Sequence, residues 1–395
     1  MFEWQLYLVL VATLAIGFAL GHRYSKQKKN SSSFRHIDDH YFKGLNFLIN
    51  EQPDAAIDTF IQALEVNSET LETHLALGKL LRKRGEVDRA IRIHQNLLAR
   101  PGLTLHQIQQ AQYELATDFV KSGLFDRAEG LLQELVDQDG PYRLSGLKRL
   151  LEVYRDEKEW LQGLDVLQRL SGSRLSRSYE EWGPTRAHFC CELAEVDVIA
   201  GNYQAARQCL KQALAYDKLS VRAGLLLGRL EIAAGFPLKG VGQLQKLAIQ
   251  HHDYISDVIP HLSAAYQQLG RLEDYRVFLL SLSSASKDVS ILVALSDLIA
   301  QKEGRLVAAE YVAKEVISHP SGVGLHKLLD YYLSFTEGKT HQYLLSLRSV
   351  MEKVIANSIH YQCRHCGFKG RQLHWLCPSC KKWGSLKPKK AIGDE

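Results

Sequence analysis

The sequence lacks the motifs by which common enzyme classes are recognised. It contains no G-x-x-x-x-G-K-[ST] phosphate loop, no H-E-x-x-H metalloprotease motif and no G-x-S-x-G nucleophile elbow. Gly240-x-Gly242 is an isolated fragment of a dinucleotide-binding motif, and no pair of acidic or histidine residues stands out as an acid–base couple. We therefore predict no catalytic residues and expect the protein not to be an enzyme.

Proline is also scarce, and the net charge is small. The 395 residues include only 9 prolines, and 46% of the chain is hydrophobic against 24% charged, which is the composition of a folded protein. A net charge of +5 over this length is small, so charge alone does not indicate a nucleic-acid-binding protein.

Cysteine is present in an odd number, seven, and is clustered, which argues against the disulfide framework of a secreted protein. Cys190, Cys191 and Cys209 fall within one copy of the helical repeat described below. Because buried cysteines behave as small apolar residues, we expect these three to pack in the core rather than to act in redox chemistry.

The N-terminus carries the longest apolar run. Residues 6–21 contain no charged residue, and a membrane-spanning helix needs about 20 mostly apolar residues. A cleaved signal peptide carries positive charge before its apolar core, whereas here the four basic residues follow it, between 23 and 29. We therefore predict a single transmembrane anchor at 1–22, a basic and polar linker at 23–34, and the remaining chain on the cytoplasmic side.

From about residue 35 the chain shows helical periodicity with a repeat of 34 residues. Gly44 and Gly78 are 34 residues apart, as are Ala56 and Ala90. Small residues at these positions allow two helices to approach closely, and large ones nearby fill the seam between them. Further copies are marked by a recurring small or aromatic residue, namely Ala128, Ala194, Ala206, Ala213, Gly228, Tyr154, Gly163, Tyr266 and Ala308.

This pattern resembles the tetratricopeptide repeat family over residues 35–335, with irregular insertions at 101–104 and 171–185. The resemblance implies an all-α superhelix of stacked helix pairs, since no single pair buries its own apolar face. It also implies protein–protein docking. We expect a terminal helix at 336–360 to follow the array.

The C-terminal segment contains the most specific chemical signal, Cys363-x2-Cys366 and Cys377-x2-Cys380 separated by ten residues. A two-residue gap lets one tight turn direct both sulfurs to a common point, and two such turns brought together by a short β-hairpin complete a tetrahedral four-sulfur site. We predict a small β-rich metal-binding domain at 361–388, followed by a tail at 389–395.

The metal is left open between iron and zinc, both of which accept four thiolates. The second turn, C-P-x-C, and the surrounding aromatic residues resemble rubredoxin, while the short spacer resembles a zinc ribbon. Either reading gives a structural site without an open coordination position. His365 and His374 lie nearby and are expected to be surface residues or to support the ligands from outside.

The last 35 residues carry eight Lys or Arg against two acidic residues. A divalent metal with four thiolates contributes −2, so part of this charge balances the site. The rest is available to phosphate, lipid headgroups or an acidic partner. Two alternatives to protein docking therefore stay open. One is a nucleic-acid-binding zinc ribbon that uses the basic tail, tested by salt-dependent binding. The other is a redox protein that uses rubredoxin-type iron, tested by thiolate-to-iron absorption.

With its GEVDRAIRIHQNLL segment and the C-terminal YQCRHCGF and LHWLCPSCKKW segments, the whole chain resembles the lipopolysaccharide assembly protein B family of Gram-negative bacteria. The resemblance implies a single-pass inner-membrane scaffold that regulates lipopolysaccharide synthesis. The partners it implies are a membrane-bound ATP-dependent metalloprotease, the deacetylase that commits carbon to lipid A, and other lipopolysaccharide assembly and transport proteins. It makes nucleic acid an unexpected partner.

The same resemblance carries Cys363, Cys366, Cys377 and Cys380 over as metal ligands. A domain this small has too little core to fold unaided, so we expect metal binding to drive its folding. We further expect it to pack against the last helices, around residues 325–359.

Overall fold

The computed structural model describes residues 71–172 and 180–389, together with 17–18, 39–50, 52, 55, 56 and 59. The predicted anchor and linker lie outside the described residues, apart from residues 17 and 18, and so does the predicted C-terminal tail except for residue 389. In the part of the chain that is described, no helix is both long enough and apolar enough to cross a membrane.

Helices form most of the described chain, as the repeat predicts. They are α1 (Asp39–Ile49), α2 (Leu71–Arg84), α3 (Val87–Leu98), α4 (Leu105–Ser122), α5 (Phe125–Asp137), α6 (Arg143–Glu157), α7 (Trp160–Ser171), α8 (Gly183–Ile199), α9 (Tyr203–Tyr216), α10 (Val221–Ala233), α11 (Pro237–Gln250), α12 (Ile255–Leu269), α13 (Leu272–Ala285), α14 (Val289–Lys302), α15 (Arg305–Ser318), α16 (Gly322–Leu333) and α17 (Gly338–Asn357). A 3₁₀ turn, His252–Tyr254, precedes α12.

Local sequence determines where several of these helices begin and end. Thr104 starts α4 with a capping box, in which its hydroxyl accepts the N–H of Gln107 and the Gln107 side chain accepts the N–H of Thr104. Gly123 ends the same helix in the left-handed conformation, at φ 78°. Pro184 and Pro237 occupy the first helical turns of α8 and α11, where a missing N–H costs nothing.

The chain divides into two compact units, Met1–Val153 and Tyr154–Glu395. In the first unit, consecutive helices α2 to α5 contact one another in turn. Gly78 of α2 lies under the ring of His94 on α3, and a Cβ at Gly78 would stand only 2.4 Å from His94 Nε2. The expected close approach at this glycine is confirmed, with Ala56, Ala90 and Ala128 fully buried around such seams.

A buried polar network joins three helices of the first unit. Asp118 of α4 accepts from Arg82 of α2 at 2.6 Å and contacts His94 Nδ1 of α3 at 2.5 Å. Glu114 also accepts from Arg82, at 2.6 Å. The Asp118 and His94 side chains are fully buried, so the network fixes how these helices pack.

In the second unit the same seams recur. Gly228 of α10 lies against Leu244 of α11, where an added Cβ would stand 2.6 Å from the leucine side chain. Gly163 of α7 lies even closer to the ring of Phe189 on α8, where an added Cβ would overlap the ring. Cys190 and Cys191 are buried in the core of this unit, as expected, and Cys209 packs partly buried beside them. This burial raises the pKa of both Cys190 and Cys191 to about 12.

The C-terminal domain, here called the knuckle (residues 361–388), is a three-stranded antiparallel sheet with order β2-β1-β3. Its strands are β1 (Tyr361–Cys363), β2 (Lys369–Gly370) and β3 (Leu386–Pro388), with Gln362 opposite Lys369 on one side and Lys387 on the other. A separate bridge pairs Leu376 with Trp383. The fold is thus helical repeats followed by a small β domain, as the sequence predicts.

Candidate metal centre

Each cysteine pair of the knuckle sits at the tip of its own short hairpin. The first, Cys363 and Cys366, lies in the turn between β1 and β2, and the second, Cys377 and Cys380, lies in the turn that follows the Leu376 bridge position. The sequence predicted one hairpin joining two turns, whereas the structure gives a hairpin to each turn. Gly367 and Gly384 adopt φ values of 75° and 58°, which side chains with a Cβ disfavour.

The four sulfurs converge on one point. All four Sγ atoms lie within 4.8 Å of one another, with Cys363 to Cys380 at 3.8 Å and Cys366 to Cys377 at 3.7 Å. A metal with tetrahedral bonds of about 2.3 Å to sulfur requires sulfur–sulfur separations of about 3.8 Å. The donor set and its spacing therefore fit a single tetrahedral ion.

Hydrogen bonds favour the thiolate form of the first cysteine pair. Cys363 Sγ is hydrogen-bonded to the Ser385 hydroxyl at 3.3 Å and accepts the backbone N–H groups of His365 and Cys366 at 3.4 and 3.5 Å. The Ser385 contact, with these N–H groups, lowers the pKa of Cys363 to about 5. A backbone N–H from Phe368 lowers the pKa of Cys366 in the same way.

Cys380 of the second pair differs from the first pair. Burial, together with the neighbouring sulfurs, raises the pKa of Cys380 to about 11. His365 and His374 are exposed, in agreement with their predicted surface position. A four-sulfur site binds its metal through thiolates, so the first pair is preorganised for a cation, whereas Cys380 gains its charge only together with one.

The knuckle contacts the helices through its tryptophans. The Trp383 ring stacks on His188 of α8, with centroids 4.8 Å apart and 15° between the planes, and meets Trp160 of α7 edge-on at 6.3 Å. Trp375 stacks on Tyr254 at 6.0 Å and 19°. These residues form an aromatic cluster between the knuckle and the helices of the second unit. Such ring pairs contribute about 0.5–1.5 kcal/mol each beyond their buried area.

Polar contacts surround this aromatic cluster. The Tyr361 hydroxyl donates to Asp257 Oδ1 at 2.9 Å, and Lys387 Nζ donates to the Tyr254 hydroxyl at 3.0 Å. Arg222, which is only 3% exposed, lies with its guanidinium carbon 5.8 Å from the centre of the Trp383 ring and contacts Glu192 and Glu195 at 2.9 Å. The knuckle is therefore held by stacking, by a charge over a ring and by hydrogen bonds from its central strand β1 and its outer strand β3.

The expected packing of the knuckle against residues 325–359 is wrong. Its ring contacts and side-chain hydrogen bonds go to α7, α8, α10 and the start of α12. From the sequence, all the aromatic residues around the cysteines were expected to belong to the rubredoxin-like domain. Trp375 and Trp383 instead contact the helices. The residues that pack around the cysteines within the described knuckle are Tyr361, Phe368, Leu373 and Leu386. Neither spacing nor composition distinguishes these two tryptophans from the other aromatic residues of the knuckle, so the sequence carried no signal for this contact.

Comparisons with known proteins agree with this architecture. The family described as "Rubredoxin metal binding domain" matches residues 361–388, and two families described as "Tetratricopeptide repeat" match residues 73–104 and 191–236. The chain is 35% identical over 388 residues to lipopolysaccharide assembly protein B of Escherichia coli (strain K12), covering 98% of each.

The chain belongs to the lipopolysaccharide assembly protein B family. A second relative of that name, from Haemophilus influenzae, is 31% identical over 392 residues and is covered to 97%. A crystal structure of MamA protein matches 48% of this chain and 96% of its own length, at 19% identity and a TM-score of 0.34. The matches to the two relatives named lipopolysaccharide assembly protein B cover both the repeat region and the metal-binding domain of this chain.

Proposed function

We propose that this protein is an inner-membrane scaffold that regulates lipopolysaccharide synthesis. It brings the deacetylase that commits carbon to lipid A to a membrane-bound ATP-dependent metalloprotease, and it coordinates other lipopolysaccharide assembly proteins. The observation that carries the proposal is 35% identity along nearly the whole length of a relative named for lipopolysaccharide assembly. Repeated helix pairs that leave broad surfaces for partner proteins support a docking role.

Membrane attachment through residues 1–22 is part of the proposal. A tethered scaffold raises the effective concentration of a client and a protease that share the same membrane, without any new contact between the two. The apolar, uncharged run over residues 6–21 and the basic residues that follow it support this attachment with the body of the chain in the cytoplasm.

We also propose that Cys363, Cys366, Cys377 and Cys380 bind one metal ion, iron or zinc. The ion would supply a fixed tetrahedral crosslink between the two turns rather than a reactive site, because four thiolates fill its coordination shell. The chain's own residues do the remaining work: the N–H groups orient the sulfurs, and Trp375 and Trp383 attach the knuckle to the helices.

Complementation tests the scaffold role. In Escherichia coli depleted of its own lipopolysaccharide assembly protein B, we expect the chain to restore deacetylase turnover and normal lipopolysaccharide content. The variant Cys377→Ser/Cys380→Ser should lose its metal and fail to restore either. Cys209→Ser, at a partly buried position outside the knuckle, is the matched control and should complement.

Partner identity has a separate readout. Affinity purification from mildly solubilised membranes should recover the protease and the deacetylase with the wild-type chain, and metal analysis of the same sample distinguishes iron from zinc. Complementation by a cysteine variant that holds no metal would show that the knuckle is dispensable. Unchanged deacetylase turnover with and without the chain would contradict the scaffold role itself.

A further inference from the structure

The last helix, α17, carries two apolar stripes, and the described contacts cover only one of them. Its first stripe faces α16: Met351 and Ile355 lie against Gly322, within 3.9 Å of where a Cβ would stand, and Arg348 pairs with Asp330 at 2.5 Å. None of the residues of α17 is fully buried. One neighbour therefore covers only part of the apolar surface of this helix.

The second stripe follows the spacing of a coiled-coil seam. Tyr343, Leu347, Val350 and Val354 succeed one another at intervals of four, three and four residues, and their exposed fractions are 73%, 46%, 56% and 58%. At 3.6 residues per turn these side chains form a narrow row adjoining the face that packs on α16. We call these four residues the outer stripe. A row of this spacing fits one α-helix laid along it.

Charge indicates what kind of helix fits. Lys339 and Lys353 are exposed and lie on the border of the outer stripe that faces away from α16. Within the described part of the chain, no ion pair involves either lysine. The acidic residue of this helix, Glu352, lies on its far side, about half a turn from the stripe. A bound helix would therefore place its own edge beside two uncompensated positive charges.

A second copy of the chain fits this surface poorly. Two outer stripes packed antiparallel about a twofold axis would place the lysine borders against each other, where like charges oppose pairing. In a parallel pair, the lysine border of one copy would face the other border of the second copy, where α16 already packs. Binding to a membrane surface is favoured by a broad apolar face with basic residues on both of its borders. The outer stripe is narrow and has basic residues on one border only, so it suits a membrane poorly.

We propose that the outer stripe of α17 binds one α-helix of another protein, apolar at heptad spacing and acidic along the edge beside Lys339 and Lys353. This inference rests on the proposed scaffold role and specifies the class of partner that one of its surfaces takes. In the repeat array, each helix packs against the next, and α16 packs against α17 in this way. The bound helix packs on α17 where one more helix of the array would lie, so it continues the stack.

The test uses a labelled 21-residue peptide with leucine at the two apolar heptad positions and glutamate at both flanking positions. Repulsion between its glutamates keeps the peptide from pairing with itself. We expect it to bind the purified full-length chain, with affinity falling as salt rises. A peptide with lysine in place of glutamate should bind at least tenfold more weakly.

The variant Leu347→Asp/Val354→Asp should weaken binding of the acidic peptide at least tenfold while keeping the helical circular dichroism of the parent. The matched control Leu161→Asp/Val277→Asp changes a leucine and a valine that are more exposed, at 67% and 62%, on other helices, and it should bind normally. The variant Lys339→Glu/Lys353→Glu should bind the lysine peptide more tightly than the glutamate peptide. Nonspecific binding to an apolar surface would not reverse the preference in this way.

Three results would overturn the proposal. The first is that the acidic peptide binds the stripe variant Leu347→Asp/Val354→Asp and the parent equally well. The second is that the parent forms a dimer that the stripe variant does not form, which makes a second copy the occupant. The third is that phosphatidylglycerol vesicles bind the parent and not the stripe variant, which makes lipid the occupant. Because the readout is binding to a defined peptide, it fails independently of deacetylase turnover, which tests the scaffold role.

Discussion

The imidazole of His188 stacks on the indole of Trp383, with the ring centroids 4.8 Å apart, and this pair joins the repeat helices to the knuckle. The pKa of His188 is lowered to about 3, first by burial and then by the positive charges of Arg222 and Lys387. The ring is therefore neutral in the folded protein, and its neutrality is part of what holds the two modules together.

The first prediction concerns pH. Since the folded pKa of about 3 lies below an unfolded value of about 6.5, the unfolded chain binds the extra proton between them. Stability is full above pH 6.5 and should fall by about 1.5 kcal/mol from this group between pH 6.5 and 5. His188→Phe keeps a ring for stacking and should remove that part of the slope, as measured by urea unfolding at several pH values. Equal slopes in the two proteins would contradict the assignment.

The second prediction concerns metal removal. If the metal crosslinks the two turns, stripping it with a chelator should release Trp375 and Trp383 from the aromatic cluster and shift tryptophan emission to longer wavelength. Adding metal back should restore the spectrum. Emission that stays the same in protein shown to be metal-free would mean that the knuckle stays attached without it.

The third prediction concerns the hydrogen bond between Tyr361 and Asp257. Burial raises the pKa of Asp257, and the other oxygen of this carboxyl has no partner within the described residues. Tyr361→Phe removes the donor at 2.9 Å and should cost about 1–3 kcal/mol of unfolding free energy. In a double-mutant cycle with Asp257→Ala, the second change should then cost less than it does alone. Full additivity would show that the two groups do not interact.

The fourth prediction compares two glycines of the same helical hairpin. Gly228→Ala places a Cβ 2.6 Å from Leu244 and should destabilise the second unit by about 1–3 kcal/mol. Gly242→Ala on α11 meets nothing within 4 Å and should stabilise it by about 0.5–1 kcal/mol through helix propensity alone. Thermal unfolding of both variants measures the difference, and the same sign for both would refute the close approach at Gly228.

The fifth prediction concerns the buried network of the first unit. Asp118→Ala leaves Arg82 and His94 without the carboxylate that both contact, and we expect a loss of about 3–5 kcal/mol. Glu134→Ala, at an exposed position on α5, should change stability by less than about 0.5 kcal/mol. Denaturant unfolding followed by circular dichroism checks both. A small effect at Asp118 would mean that water replaces the carboxylate.

The repeat and the four cysteines could be predicted because their signals are local. A 34-residue period places Gly78 and Ala90 on facing helices, and a two-residue gap directs Cys363 and Cys366 to one point whatever the rest of the chain does. The sequence also contains several aromatic residues near the cysteines. It offers no reason to distinguish Tyr361, which packs against the cysteine cluster, from Trp383, which packs against the helices.

By itself, the sequence determined the helical repeats, the seams between them and the convergence of four sulfurs, because each depends on spacing within a few dozen residues. Only the tertiary structure decided where the knuckle packs. Tyr361 meets Asp257 across 104 residues, and Lys387 meets Tyr254 across 133. Contacts so distant depend on how successive helices stack, and no periodicity in the chain encodes that. Among the described residues, the same stacking covers one apolar stripe of α17 and leaves the outer stripe exposed.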